Sequence, residues 1–185
     1  MAYNLLTPRQ KAFLEAAGKD DFVSRGFYLT GGTALAAFYL GHRYSEDLGF
    51  FSEKEVDVLT LDVFSKKMKW QLGVARIDFQ QSYNRNLVFF EYENGEILKT
   101  EFTFFPFPRI EKGRHEYGVI VDSLTDIAVN KLFTVYQRTK ARDYIDLYCI
   151  CRDKNFLIAD LILKARAKFD WNIDPLQLGT QFLKA

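Results

Sequence analysis

Apolar positions along the chain alternate between two periods, and the change from one to the other marks the elements. A short apolar run at residues 27–29 suits a buried strand. It feeds Gly31 and Gly32, and residues 33–40 then read as a helix. Residues 45–51 return to a strand. Upstream, Thr7, Pro8 and Gln10 form a helix start with Thr7 as N-cap. That helix is predicted to stop at Gly18 and to bury Phe13, Leu14 and Ala17. Residues 52–59 read as an acidic loop, and Thr60 is predicted to cap a helix reaching Leu72. Residues 74–80, 86–92 and 96–105 read as strands, the last two joined through Asn94-Gly95 as a hairpin. Alternation puts Lys99, Glu101 and Thr103 on one face, with Leu98, Phe102 and Phe104 on the other. Pro106 and Pro108 end this sheet, and a basic loop at 109–114 and a short run at 117–121 lead out.

From Ser123 the period becomes helical. Ile127, Ala128, Leu132 and Val135 form an apolar stripe, widened by Phe133 and Tyr136, while Asn130, Lys131, Thr134 and Arg138 line another side. Asp143 and Asp146 stand three apart and share a helix face near Arg142. Two more helices are predicted at about 156–169 and 174–184. The reading is α+β: a core over residues 1–121 and a helical part over 122–185, packed as one unit.

Composition narrows the class. Of 185 residues, 48% are hydrophobic and 26% charged, which suits a folded globular chain. The 18 phenylalanines predict a Phe-rich core. A formal net charge of +1 excludes a global basic field, so contact with a polynucleotide needs a local patch. The lysines at 66, 67 and 69 read first as a solvated helix face. Cys149 and Cys151, two apart on a helix, are poorly placed to bridge each other, which predicts a reduced, cytoplasmic setting. The first residues carry no secretion pattern, and no apolar stretch approaches the roughly 18 residues of a membrane span.

The candidate chemistry begins with the strand, Gly-Gly turn and helix. Such a junction exposes backbone N–H groups at a helix start, where an anion, often a phosphate, is favoured. Asp47 stands on the returning strand near the same place. Residues 31–35, 41–43, Ser45, Asp47, Leu48, Phe50 and Phe51 together resemble the nucleotidyltransferase superfamily, and within it the AbiEii/AbiGii-type toxins of toxin–antitoxin and abortive-infection systems. The resemblance implies a nucleotidyltransferase-like mixed sheet flanked by helices. It also implies transfer of a nucleotide from an NTP to an RNA acceptor, a tRNA 3′ end being the leading candidate, with Mg²⁺ or Mn²⁺. By the same resemblance Gly31, Gly32 and Thr33 touch the triphosphate, with Ser45 assisting. Asp47 and Glu101 would be the metal ligands, and Lys131, Arg138 and Arg142 would meet the nucleotide. Asp143 and Asp146 complete its Arg-Asp-x-x-Asp element. A cognate antitoxin is the implied partner.

One position departs from the pattern. The second metal-binding Asp of the family is Gly49 here, and glycine offers no ligand. Three readings follow: an enzyme working with a weakened site, a degenerate protein that binds nucleotide or RNA without transfer, and a protein-interaction module that keeps the fold.

Overall fold

The computed structural model describes residues 5–138 and 140–184. Helix α1 (Pro8–Ala17) starts with the expected reciprocal capping box of Thr7 and Gln10. A short helix α2 (Asp21–Gly26), capped by Asp20, was not legible as an element because six residues carry too little periodicity. Strand β1 (Tyr28–Thr30) runs directly into α3 (Gly31–Leu35), which continues as a wider π-helical turn over Ala36–Leu40. The widening shows in the Gly41 N–H donating five residues back to the Ala36 carbonyl at 2.9 Å. Strand β2 (Leu48–Ser52) and helix α4 (Val58–Leu72) follow. Asp57, not Thr60, caps α4: its carboxylate accepts from the Thr60 N–H at 3.0 Å, so the cap lies three residues earlier than predicted.

Strands β4 (Arg85–Glu91) and β5 (Ile97–Phe104) form the expected hairpin and β3 (Arg76–Ser82) pairs antiparallel with β4, each strand within two residues of its predicted bounds. The basic loop ends in one more strand, β6 (Arg114–Glu116), which pairs with β7 (Val119–Val121) across Tyr117 and Gly118. Helices α5 (Leu124–Gln137), α6 (Ala141–Lys154), α7 (Ile158–Phe169) and α8 (Pro175–Phe182) complete the chain. No helix among the described residues is long and apolar enough to cross a membrane.

The seven strands form one mixed sheet in the order β3-β4-β5-β2-β1-β7-β6. Strand β2 is antiparallel to β1 and parallel to β5; β1 is also parallel to β7. Because side chains alternate, β2 sends Leu48 and Phe50 to one face and Gly49 and Phe51 to the other. The first face is a phenylalanine core. Phe50 stacks on Phe102 at 5.1 Å, Phe13 meets Phe90 at 5.3 Å, and Phe64 meets Phe102 edge-on at 5.8 Å. On the second face a chain of rings runs from Phe51 through Phe105 and Phe107 to Phe169 and Phe133, ending at a 4.1 Å stack. These rings join the sheet to α5 and α7.

A buried polar cluster also lies where β7 turns into α5. Asp126 accepts from the backbone N–H groups of Ile110 and Glu111, from Ser123, and from Lys168, whose side chain is fully buried. Asp122 has less support. Its Oδ2 accepts from Thr30 Oγ1 at 2.8 Å, while its buried Oδ1 has no hydrogen-bond partner among the described residues. Burial, then the neighbouring Asp126, pushes the Asp122 carboxyl up to about 7.

Candidate functional site

The junction of β1 and α3 needs glycine twice, for different reasons. Gly31 has φ +78°, a left-handed conformation that side chains disfavour. At Gly32 the obstacle is proximity: a Cβ would lie 2.6 Å from Arg43 Nη2 and 3.1 Å from Ser45 Oγ. The N–H groups of this first helical turn have no intrahelical acceptor, and Thr30 offers no side-chain cap. Thr33 ties the turn to the incoming strand. Its hydroxyl donates to the Asp47 carbonyl and lies 2.9 Å from Ser45 Oγ. Gln10 holds the same loop from below, donating to the carbonyls of Ser45 and Glu46 at 2.8 and 3.0 Å.

Arg43 crosses Gly32 and connects this turn to the helices. Its Nε and Nη2 donate to the two oxygens of Asp146 at 2.6 and 2.8 Å. Asp146 also accepts from His42 Nε2 at 2.7 Å and pairs with Lys131 Nζ at 2.7 Å. Lys131 donates in turn to Asp143 Oδ1 at 2.7 Å, and Arg138 reaches Asp143 Oδ2 at 3.5 Å. The side chain of Asp146 is completely buried. Burial alone would raise its pKa. The bonds from His42 and Arg43, with the charge and bond of Lys131, outweigh it and hold the carboxyl well below the usual carboxylate range. Its four acceptor positions are filled, so this carboxylate is a clamp on three cationic or imidazole side chains, not a free base. Arg142 lies outside the clamp, exposed on α6.

Asp47 and Glu101 form a separate, more open acid face. The β2–β5 register sets Gly49 opposite Glu101 and Leu48 opposite Thr100. One step earlier, Lys99 Nζ donates to Asp47 Oδ2 at 2.7 Å. Arg85, from β4, grips Glu101 with two parallel bonds of 2.8 and 2.6 Å, and Thr103 Oγ1 adds a third at 2.8 Å. Burial raises the Glu101 pKa, but the bonds from Arg85 and Thr103 more than offset it, leaving it lowered. Between the two acids stands Gly49. A Cβ there would meet nothing closer than the Thr30 carbonyl at 3.6 Å, so the backbone has room for a side chain that the sequence does not supply.

Two carboxylates, each neutralised by a cation of the chain, do not fit a divalent ion that demands several oxygen ligands at tight geometry. Among the described residues no group of three or more His, Cys, Asp or Glu side chains gathers to hold a metal. The positions suggested as metal ligands are therefore neighbours on one face, but their charge is already balanced.

Sequence reasoning pointed to the turn, both acids and the helix residues. It assigned no site role to Arg43, Lys99 or Arg85. Lys99 had been placed on the face of Glu101 by alternation; its bond to Asp47 depends on a strand pairing that alternation does not specify. Arg43 sits inside the Gly41, His42, Arg43 run, and nothing local points it at a carboxylate 103 positions away.

Comparison with known proteins adds the relationship. The family described as nucleotidyl transferase AbiEii toxin, type IV toxin–antitoxin system, matches residues 12–183. An uncharacterised protein of Aquifex aeolicus strain VF5 is 28% identical over 156 residues, covering 82% of this chain and 70% of the relative. The crystal structure of JHP933 from Helicobacter pylori superimposes with a TM-score of 0.62 at 21% identity, covering 94% of this chain and 87% of that one. A second H. pylori structure, described as a nucleotidyltransferase, gives a TM-score of 0.61 at 21% identity, with 95% and 79% covered. At this identity the structures speak for the fold, which is that of nucleotidyltransferases.

Proposed function

The chain belongs to the AbiEii nucleotidyl transferase toxin family of type IV toxin–antitoxin systems, and on that premise we propose that it binds an NTP at the β1–α3 turn and passes a nucleotide slowly to an RNA acceptor. The acceptor we favour is a tRNA 3′ end, and the biological partner an antitoxin. In this reading the N–H groups of Gly32 and Thr33 and the hydroxyl of Ser45 hold phosphate oxygens. Arg43 and Lys131, fixed by Asp146 and Asp143, supply positive potential behind the turn, and Arg138 and Arg142 extend it toward solvent. A divalent ion would supply charge neutralisation and alignment of the attacking hydroxyl. The acids present do not make a place for it, which is why transfer is slow.

The observation that carries this reading is the geometry of Gly49: opposite Glu101, two residues from Asp47, with space for a Cβ. The test is transfer of labelled NTP to tRNA with Mg²⁺ by the natural chain and by Gly49→Asp. The natural chain is expected to transfer weakly, and the variant at least about tenfold faster, a barrier change of roughly 1.4 kcal/mol. A folded variant that binds nucleotide yet transfers nothing would defeat the transferase reading. The two ion pairs, Lys99–Asp47 and Arg85–Glu101, favour a second reading, nucleotide binding without transfer, and that outcome would select it.

A further inference from the structure

The acid face carries its own countercharge, and the way it does so has a consequence for ligand binding. Formally, Asp47 and Glu101 bring two negative charges, and Lys99 and Arg85 bring two positive ones. The two cations are not equivalent. Arg85 is locked by a bidentate pair whose carboxylate is braced by Thr103. Lys99 is a single ammonium on a flexible stem with three donors, of which one is used among the described residues. Its side chain is about one-third exposed, at 31%. Asp47, its partner, is joined through its own carbonyl to Thr33, inside the turn with free N–H groups. A singly bonded, partly exposed positive charge is thus linked through Asp47 to the turn's anion-seeking groups, on the face where a divalent ion would otherwise bring its charge.

We propose that this chain binds the phosphates of a nucleoside triphosphate without a divalent ion, the Lys99 ammonium supplying the charge at that face and Asp47 holding it ready. The inference rests on the reading of the β1–α3 turn as the phosphate site. Asp47 is then a positioning residue that acts through Lys99, rather than a metal ligand. The two roles differ in sign. Removing the charge of a metal ligand weakens nucleotide binding, whereas removing the charge that restrains Lys99 leaves more positive potential for the phosphates. The binding is also a sum of ordinary ion pairs at a partly exposed site, so it weakens as salt rises.

Calorimetry on the full chain with a non-hydrolysable ATP analogue, once in EDTA and once with millimolar Mg²⁺, tests the inference, with inorganic tripolyphosphate as the probe for phosphate alone. Affinity in EDTA is expected to stay within about threefold of that in Mg²⁺, a difference under 1 kcal/mol. Lys99→Met is expected to lose about tenfold or more in EDTA, and Asp47→Asn to bind as tightly as the natural chain or more tightly. Both positions are partly exposed, and circular dichroism and thermal melts establish that each variant is folded. Binding that appears only with Mg²⁺, or that Asp47→Asn abolishes, overturns the inference and leaves the phosphate reading of the turn standing. No binding of either probe under either condition removes that reading, and the inference with it.

Discussion

Two clusters of opposite charges flank the β1–α3 turn, and they are built on different terms. Around Asp146, every oxygen is occupied, the carboxylate is wholly buried, and the partners come from the 41–43 segment and helix α5. Around Asp47 and Glu101, the pairs join β4, β5 and the residue just before β2, and remain partly exposed. A buried charge network must be complete, since removing one member strands the others in a low-dielectric interior. A half-exposed pair exchanges partners with water at small cost. The first cluster therefore suits fixing a geometry, and the second suits exchanging a partner for a ligand.

The largest expected effect breaks the first cluster. Asp146→Ala leaves Arg43, His42 and Lys131 without their shared acceptor and is expected to cost about 3–5 kcal/mol in urea unfolding. A loss below about 1 kcal/mol would show that water reaches the cluster and that the contrast is overstated.

An intermediate effect concerns Asp122, a buried carboxylate that forms no ion pair among the described residues. Its folded pKa, raised to about 7, exceeds the usual carboxylate value, so the native state binds the extra proton between about pH 4 and pH 7. Its contribution to stability is therefore full below that window and lost as pH rises through 7. Asp146 has the opposite sign: its lowered pKa gives stability above the unfolded value that is lost in acid. Asp122→Asn removes the first dependence alone. Relative to the natural chain, it is expected to gain on the order of 1–3 kcal/mol between pH 5 and pH 8, read from urea midpoints at each pH. A difference that stays constant with pH would mean that Asp122 is ionised throughout.

The smallest effect tests the second cluster. Lys99→Met is expected to change stability by less than about 1 kcal/mol, because the pair it breaks is partly exposed. A cost of several kcal/mol would place Lys99 with the buried network and remove the contrast.

Much of the fold was legible because it is local. The Thr7 capping box, the Asn94-Gly95 turn and the stripe of α5 are short-range patterns, and the structure contains each. The α4 start was misplaced because Asp57 and Thr60 are both good caps, and the choice falls to the residue whose oxygen reaches the free N–H groups. Strand β6 was hidden because three polar residues at the end of the basic loop show no alternation, and only pairing with β7 makes them a strand. For the candidate site, the residue types were legible and their partners were not. Lys131 read as a side-lining helix residue; buried between Asp143 and Asp146, it is part of the clamp.

The amino-acid sequence by itself determined the longer elements, the two glycines of the turn, the alternation that sets Lys99 beside Glu101, and the absence of a carboxylate at position 49. Those are properties of backbone conformation and short-range periodicity, which neighbouring residues set. Only the tertiary structure decided that Arg43 reaches Asp146, that Lys99 neutralises Asp47, and that Asp122 Oδ1 has no hydrogen-bond partner among the described residues. Charges interact through space, and which of them meet depends on how the sheet is ordered and how the helices lie across it.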